Sequence, residues 1–125
     1  MALILIVDDA LLTRTVIRKS LRANGYQTIE AQNGSEALEK IRQQQPDCIL
    51  LDLLIPEPNG FEVLKILQAD DCQIPAIVIT ADTQETARTR CLALGAKAVI
   101  YKPPKPGELQ AEINKVISIQ SQSNP

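Results

Sequence analysis

The sequence predicts an α/β protein: a doubly wound, five-stranded parallel sheet with helices on both faces. Short apolar runs alternate with helical patterns five times, as βαβ units around a parallel sheet require. The runs at Leu3–Val7, Cys48–Leu51 and Ala76–Ile79 are nearly continuous in apolar residues, the mark of strands buried on both faces. Four runs also end on polar side chains: Leu3–Val7 on Asp8 and Asp9, Cys48–Leu51 on Asp52, Ala76–Ile79 on Thr80, and Ala98–Tyr101 on Lys102.

In chain order, Leu3–Val7 is the first strand. The first helix is expected over Leu12–Asn24 and stops at Gly25, which suits the left-handed position after a helix. Gln27–Ala31 mixes polar with apolar residues and belongs at a sheet edge. Asn33 with Glu36, Asn59 with Glu62, and Asp82 with Glu85 each offer a capping oxygen and an acid three residues on, so they predict the starts of the second, third and fourth helices. Ala98–Tyr101 is short and forms the other edge. The last helix carries Leu109, Ile113, Val116 and Ile117 on one stripe, a face laid against the sheet. Pro103, Pro104 and Pro106 keep its start from creeping backward. Residues 1–120 are expected to form the one domain, with 121–125 a polar, frayed tail.

A chain of 125 residues, 45% hydrophobic and 22% charged, has bulk for one core and the make-up of an ordinary globular protein. A net charge of -2 argues against a nucleic-acid footprint, which needs a clustered basic face. Leu3–Val7 has no basic leader and runs into two acids, so it reads as a strand and not a signal peptide. No run is long enough to span a bilayer, and the expected location is cytoplasmic. Cys48, Cys72 and Cys91 form no CxxC pair, and there are no histidines to complete a zinc site or to serve as general base for a serine or cysteine nucleophile. Small apolar roles in a reducing compartment suit the cysteines better.

Ligands of open parallel sheets bind outside the carboxyl ends of the strands, and that edge carries Asp8, Asp9, Asp52, Thr80 and Lys102. Each alone has a plainer reading: a turn and helix cap for Asp8–Asp9, a loop acid at Asp52, a satisfied strand-end hydroxyl at Thr80, a solvated charge at Lys102. Their convergence one step past separate strands outweighs those readings. Crowded carboxylates repel unless a cation shares the site, and a hard divalent ion such as Mg²⁺ takes one or two carboxylates together with phosphate oxygen. Lys102 would neutralise a phosphoryl oxygen and Thr80 would donate to another, leaving a carboxylate free to attack phosphorus. Phosphoryl transfer is mostly alignment and charge neutralisation, so no histidine base is needed.

On Ile6-Val7-Asp8-Asp9, Asp52 with Pro56 and Gly60 behind it, Thr80-Ala81, Gly95-Ala96 and Lys102-Pro103, the chain resembles a receiver domain of two-component response regulators, close in size to the stand-alone chemotaxis type. The resemblance covers about the whole chain and implies a flavodoxin-like fold with strand order 2-1-3-4-5. It implies that Asp52 takes a phosphoryl group from the phosphohistidine of a sensor histidine kinase, with Lys102 and Thr80 assisting. It further implies that Asp9, Asp52 and the backbone carbonyl of Leu54 bind Mg²⁺ directly, that Asp8 acts through water, and that the Lys102–Pro103 peptide is cis. Such a chain catalyses only its own phosphorylation and dephosphorylation, and an output partner is expected on the fourth helix, fifth strand and fifth helix.

Four positions depart from the pattern. The switch aromatic common three residues before the lysine is Val99, with Tyr101 on the same side of the strand by period-two alternation. Pro104 replaces the bulky apolar residue that often follows Lys-Pro, and Lys97 and Ala98 stand where dimerising regulators often carry acids. A phosphorelay intermediate or phosphate sink, which needs no surface change, is therefore the alternative to a switch. A haloacid-dehalogenase-like phosphatase would carry a second aspartate at Leu54. A phosphorylation-independent module would have lost Asp9, Asp52 or Lys102, and a nucleotide-binding domain would show GxGxxG after the first strand.

Overall fold

The computed structural model describes residues 2–122. Its elements are β1 Leu3–Val7, α1 Leu11–Ala23, β2 Gln27–Ala31, α2 Gly34–Gln44, β3 Cys48–Leu51, α3 Gly60–Ala69, β4 Ala76–Thr80, α4 Glu85–Ala93, β5 Ala98–Tyr101 and α5 Glu108–Gln122. The strands form one parallel sheet in the order β2-β1-β3-β4-β5. Both the α/β class and the strand order match the sequence expectation. β2 and β5 lie at the edges, and β1, β3 and β4, buried throughout except at Leu3, lie between them.

Alternation along each strand divides the core into two layers. Leu5, Val7, Ile49, Leu51 and Val78 face α2, α3 and α4 through Leu38, Val63, Leu64 and Cys91. Ile4, Ile6, Leu50, Ile77 and Ile100 face α1 and α5. The stripe on α5 holds: Leu109, Ile113 and Val116 are buried, and Ile117 packs beside them.

Helix ends show where local rules governed and where tertiary contacts did. Asn59 and Glu62 form a reciprocal capping box, and the Asn33 side chain accepts from the Glu36 amide at 2.8 Å. Asp82, expected to cap the fourth helix, does not. Its own amide donates to Thr80 Oγ1 at 3.1 Å, and its carboxylate accepts from Gln84 N at 3.0 Å. Asp82 is thereby used in a tight turn, a conformation that competes with capping for the same side chain. Gln84 becomes the N-cap without a side-chain bond, and α4 starts at Glu85. α1 starts and ends one residue before its expected bounds, with Gly25 beyond it at φ +87°. α5 continues through Gln122, past the expected start of the tail, and 123–125 lie outside the described residues. Among the described residues no helix is long and apolar enough to cross a membrane.

Candidate functional site

Register brings the acids together. Val7 pairs with Leu51 across β1 and β3, so the next residues, Asp8 and Asp52, leave the sheet side by side. The Asp52 amide donates to the Val7 carbonyl at 3.0 Å. One carboxylate oxygen from each of Asp8, Asp9 and Asp52 lies within 4.8 Å of the others. Asp8 and Asp52 are buried, at 3% and 7% exposure, whereas Asp9 opens to solvent.

Each buried acid is held by short local bonds and by one distant lysine. Asp8 Oδ1 accepts from Ala10 N at 2.9 Å and Asp52 Oδ1 from Leu54 N at 3.3 Å. From the end of β5, Lys102 Nζ reaches Asp8 Oδ2 at 2.7 Å and Asp52 Oδ2 at 3.2 Å. The Lys102 amide donates to the Thr80 carbonyl at 2.8 Å, which fixes where that side chain begins. The Lys102–Pro103 peptide is cis, as the resemblance implies, and Glu57–Pro58 is cis as well. Gly60 lets α3 start against the backbone that follows Asp52, because a Cβ there would meet the Asp52 carbonyl oxygen and Leu53 Cα at 2.6 Å each.

Burial is the main reason the Asp52 carboxyl is pushed above its ordinary range; the Lys102 ammonium opposes the rise and the Asp8 carboxylate adds to it. Burial works against the charge on Lys102, but bonds to Asp8 and Asp52 outweigh it and the ammonium is held above its usual pKa. Three carboxylates against one ammonium leave surplus negative charge on an all-oxygen donor set, which fits a hard divalent cation. Thr80 is 1% exposed, and accepting from Asp82 N leaves its hydroxyl hydrogen available to a further acceptor.

All five strand-end residues found by sequence reasoning thus gather at one edge, and Leu54 joins them through its amide. Val99 is half-buried against the α2–α4 layer, and Tyr101 is half-buried at the register partner of Thr80. Sequence reasoning missed Arg14 and Glu30. Arg14 Nη1 donates to the Asp8 carbonyl at 2.7 Å, and its Nε donates to Glu30 at 3.0 Å. The available signal was spacing: Arg14 and Arg18, one helical turn apart, both reach Glu30.

An open parallel sheet in this order, with acids and one lysine gathered at its carboxyl edge, defines the CheY-like receiver class of the flavodoxin-like fold. The chain belongs to the response regulator receiver domain family, whose model matches residues 4–114. It is 35% identical to the chemotaxis protein CheY of Bacillus subtilis over 116 residues, covering 92% of this chain and 97% of that one. It is 40% identical to the polar-differentiation response regulator DivK of Brucella anthropi over 102 residues, 80% of this chain and 83% of that one. Against PhoP, the alkaline phosphatase synthesis transcriptional regulatory protein of Bacillus subtilis, identity is 35% over 91% of this chain. The chain spans about half the length of that regulator, at 48%. Among solved structures, the receiver domain of Francisella response regulator 1452 superposes with a TM-score of 0.92 at 27% identity, covering 96% of this chain and 99% of its own. A CheY-like receiver domain protein from Methanospirillum hungatei gives 0.92 at 27%, with 99% of both chains covered. The chain is therefore a signalling domain and not a classical enzyme, and the phosphatase and nucleotide-binding alternatives fall away.

Proposed function

We propose that this chain is a phosphoacceptor response regulator whose Asp52 takes a phosphoryl group from the phosphohistidine of a sensor histidine kinase. The observation that carries this reading is the setting of Asp52: buried, bonded through Oδ2 to Lys102, and within 4.8 Å of two other carboxylates. A carboxylate oxygen of Asp52 attacks phosphorus as the N–P bond breaks, and the electron pair leaves with the imidazole. The product is an acyl phosphate. Lys102 then neutralises a phosphoryl oxygen and Thr80 donates to another. Mg²⁺ would be held by Asp9, Asp52 and the Leu54 carbonyl, with Asp8 acting through water, and would supply charge neutralisation on the transferred group. Attack of water on the acyl phosphate returns the aspartate, so the chain catalyses only its own phosphorylation and dephosphorylation.

Large exposed side chains support the kinase as donor. Leu11, Leu12 and Val16 of α1 and Leu54 beside Asp52 are 60–77% exposed. A groove of about 400 Å³ runs between Leu12, Val16, Lys102, Pro103 and Pro104. The groove reaches Lys102, whose Nζ is bonded to Asp52, so a surface bearing phosphohistidine would meet this apolar rim. The free thiols fit a reducing, cytoplasmic setting. In the primary reading, phosphorylation switches the affinity of an output protein for the α4, β5 and α5 face.

That same rim favours a second reading, a phosphorelay intermediate. Among the described residues, the large exposed apolar side chain on α4 is Leu92, at 36%, whereas Leu11, Leu12, Val16 and Leu54 are exposed beside the acceptor mouth. A donor and a recipient histidine would each use that mouth in turn.

Intact mass after incubation with acetyl phosphate and Mg²⁺ tests the chemistry. One added phosphoryl group, absent in Asp52→Asn, is expected. Full labelling of that variant at another residue would overturn the assignment.

A further inference from the structure

We propose that Arg14 is a positioning residue for the metal-binding acids, acting through the Asp8–Asp9 peptide. The inference rests on the metal reading above. Asp8 is held at four points: its amide donates to the Ala31 carbonyl at 3.1 Å, Oδ1 accepts from Ala10 N and Oδ2 from Lys102, and its carbonyl accepts from Arg14 Nη1 at 2.7 Å. The last bond differs in what it controls. The Asp8 carbonyl and the Asp9 amide share one rigid plane, so holding that carbonyl sets Asp9 N and Cα, and with the Ala10 amide tied to Asp8 Oδ1 at 2.9 Å on the far side the Asp9 backbone is braced at both ends. Asp9 is the exposed member of the acid cluster, and packing does little to hold it.

The guanidinium is itself set. Arg14 is 11% exposed at its side chain and bonded through Nε to Glu30 Oε1 at 3.0 Å. Arg18 holds the other Glu30 oxygen at 2.8 Å, and Glu30 lies one residue before Ala31, the acceptor for Asp8. β2 therefore grips the turn after β1 twice, once by backbone and once through Glu30 and Arg14. A planar fork can serve the carbonyl and the carboxylate together, which a lysine ammonium at the same place cannot do with equal geometry.

Charge and geometry predict opposite signs for loss of Arg14. Removing a cation near three carboxylates would by Coulomb attraction alone tighten Mg²⁺ binding. Removing a brace frees the Asp9 backbone and weakens it, by roughly tenfold or more for a lost outer-shell contact. Calorimetric titration of MgCl₂ into the full chain separates the two. Arg14→Ala is expected to bind Mg²⁺ roughly tenfold more weakly, with Arg14→Lys between it and the wild type and Glu30→Gln weakened severalfold. At saturating Mg²⁺ the rate of labelling by acetyl phosphate should return to near the wild-type rate, a split that general loss of stability would not produce. Unchanged or tighter binding in folded Arg14→Ala, beside normal binding by the wild type, overturns the proposal and leaves the metal reading intact. Should Arg14→Ala fail to fold, unchanged affinity in Glu30→Gln overturns it equally. A wild type that does not bind Mg²⁺ overturns both.

Discussion

Lys102 and Asp8, 94 residues apart in the chain, form the closest ion pair of the pocket, with Nζ 2.7 Å from Oδ2. Asp52, the proposed acceptor, is the looser partner at 3.2 Å. In the proposed reaction the lysine is thus anchored on a residue that makes no bond and shared with the one that would. Were Asp52 to gain a phosphoryl group, Nζ could turn to it without giving up Asp8.

Lys102→Met should therefore destabilise the metal-free protein. Two nearly buried carboxylates would lose their counter-charge beside a third. Breaking a buried pair costs about 3–5 kcal/mol, and with the Lys102 side chain 24% exposed about 2 kcal/mol is expected after screening. Millimolar Mg²⁺ should recover much of the loss, since a ligand bound only by the folded state stabilises it. Urea unfolding with and without Mg²⁺ measures this, and equal stabilities of variant and wild type in the absence of metal would contradict it.

Asp9→Ala removes charge from the same cluster without burying anything new. The fold should persist with equal or greater stability in the absence of metal, because repulsion around Asp8 and Asp52 is relieved. Mg²⁺-dependent labelling by acetyl phosphate should be abolished. Wild-type labelling that is unaffected by a chelator would show that no metal takes part.

Asp8, Asp52 and Thr80 were legible because a strand buried on both faces must end somewhere, and in this sequence the first polar residue marks the end; Lys102 closes the short apolar run of the edge strand β5 in the same way. Parallel strands then place those ends on one edge, so an apolar run carries tertiary information. Asp82 was not legible, since the same side chain can cap a helix or close a turn, and the choice depends on Thr80 Oγ1 accepting its amide. Arg14 was hidden for a related reason: its partners, Asp8 and Glu30, come from different strand ends, and only the β1–β2 register brings them together. Gln45 ends α2 at φ 46° where sequence rules look for glycine or asparagine.

Gly34 was also invisible to local reasoning, because what it meets is a loop 24 residues on. A Cβ at Gly34 would stand 1.8 Å from the Pro58 carbonyl oxygen and 2.8 Å from its carbonyl carbon. Backbone cannot swing aside as a flexible side chain can, so Gly34→Ala should lose about 3 kcal/mol, the upper end of overpacking costs. Gly25→Ala is the control: nothing lies within 4 Å, and only its φ of +87° opposes the change, at about 1 kcal/mol. Denaturant unfolding of the two variants gives the comparison, and equal losses would refute the contact.

Glu30 gives a pH dependence outside the acid cluster. Burial raises its pKa, but hydrogen bonds and charge from Arg18 and Arg14 prevail and hold it below the ordinary carboxylate value. A depressed folded-state pKa contributes stability that is present above the unfolded value of about 4.3 and lost as pH falls through the folded value. Glu30→Gln should thus be less stable than wild type at neutral pH by about 0.5–1 kcal/mol, a surface-discounted figure for a carboxylate 24% exposed. The gap should close as pH falls below about 4. A gap independent of pH would mean that the ion pairs contribute nothing.

Output is the last consequence. Phosphorylated Asp52 would carry roughly two negative charges in place of the carboxylate's one, with strong acceptor oxygens, and the free hydrogen of Thr80 is the side-chain donor at the end of β4. Thr80 also accepts from Asp82 N, and Asp82 in turn accepts from Gln84 N, the residue that caps α4. Movement of the hydroxyl therefore pulls on the start of a helix whose buried anchors are only Ala87 and Cys91. Farther along α4, Arg90 stacks 4.0 Å above the Phe61 ring of α3, which limits how far the helix can travel. Val99 offers little volume to follow Thr80 inward. A modest shift centred on residues 82–90 is expected, and amide chemical shifts with and without beryllium fluoride and Mg²⁺ report it residue by residue. Thr80→Ala should abolish the changes at 82–90 while leaving those around Asp8 and Asp52. If wild-type changes stop at the pocket residues, the switch reading fails and the phosphorelay reading, which needs only the acceptor mouth, is the one that stands.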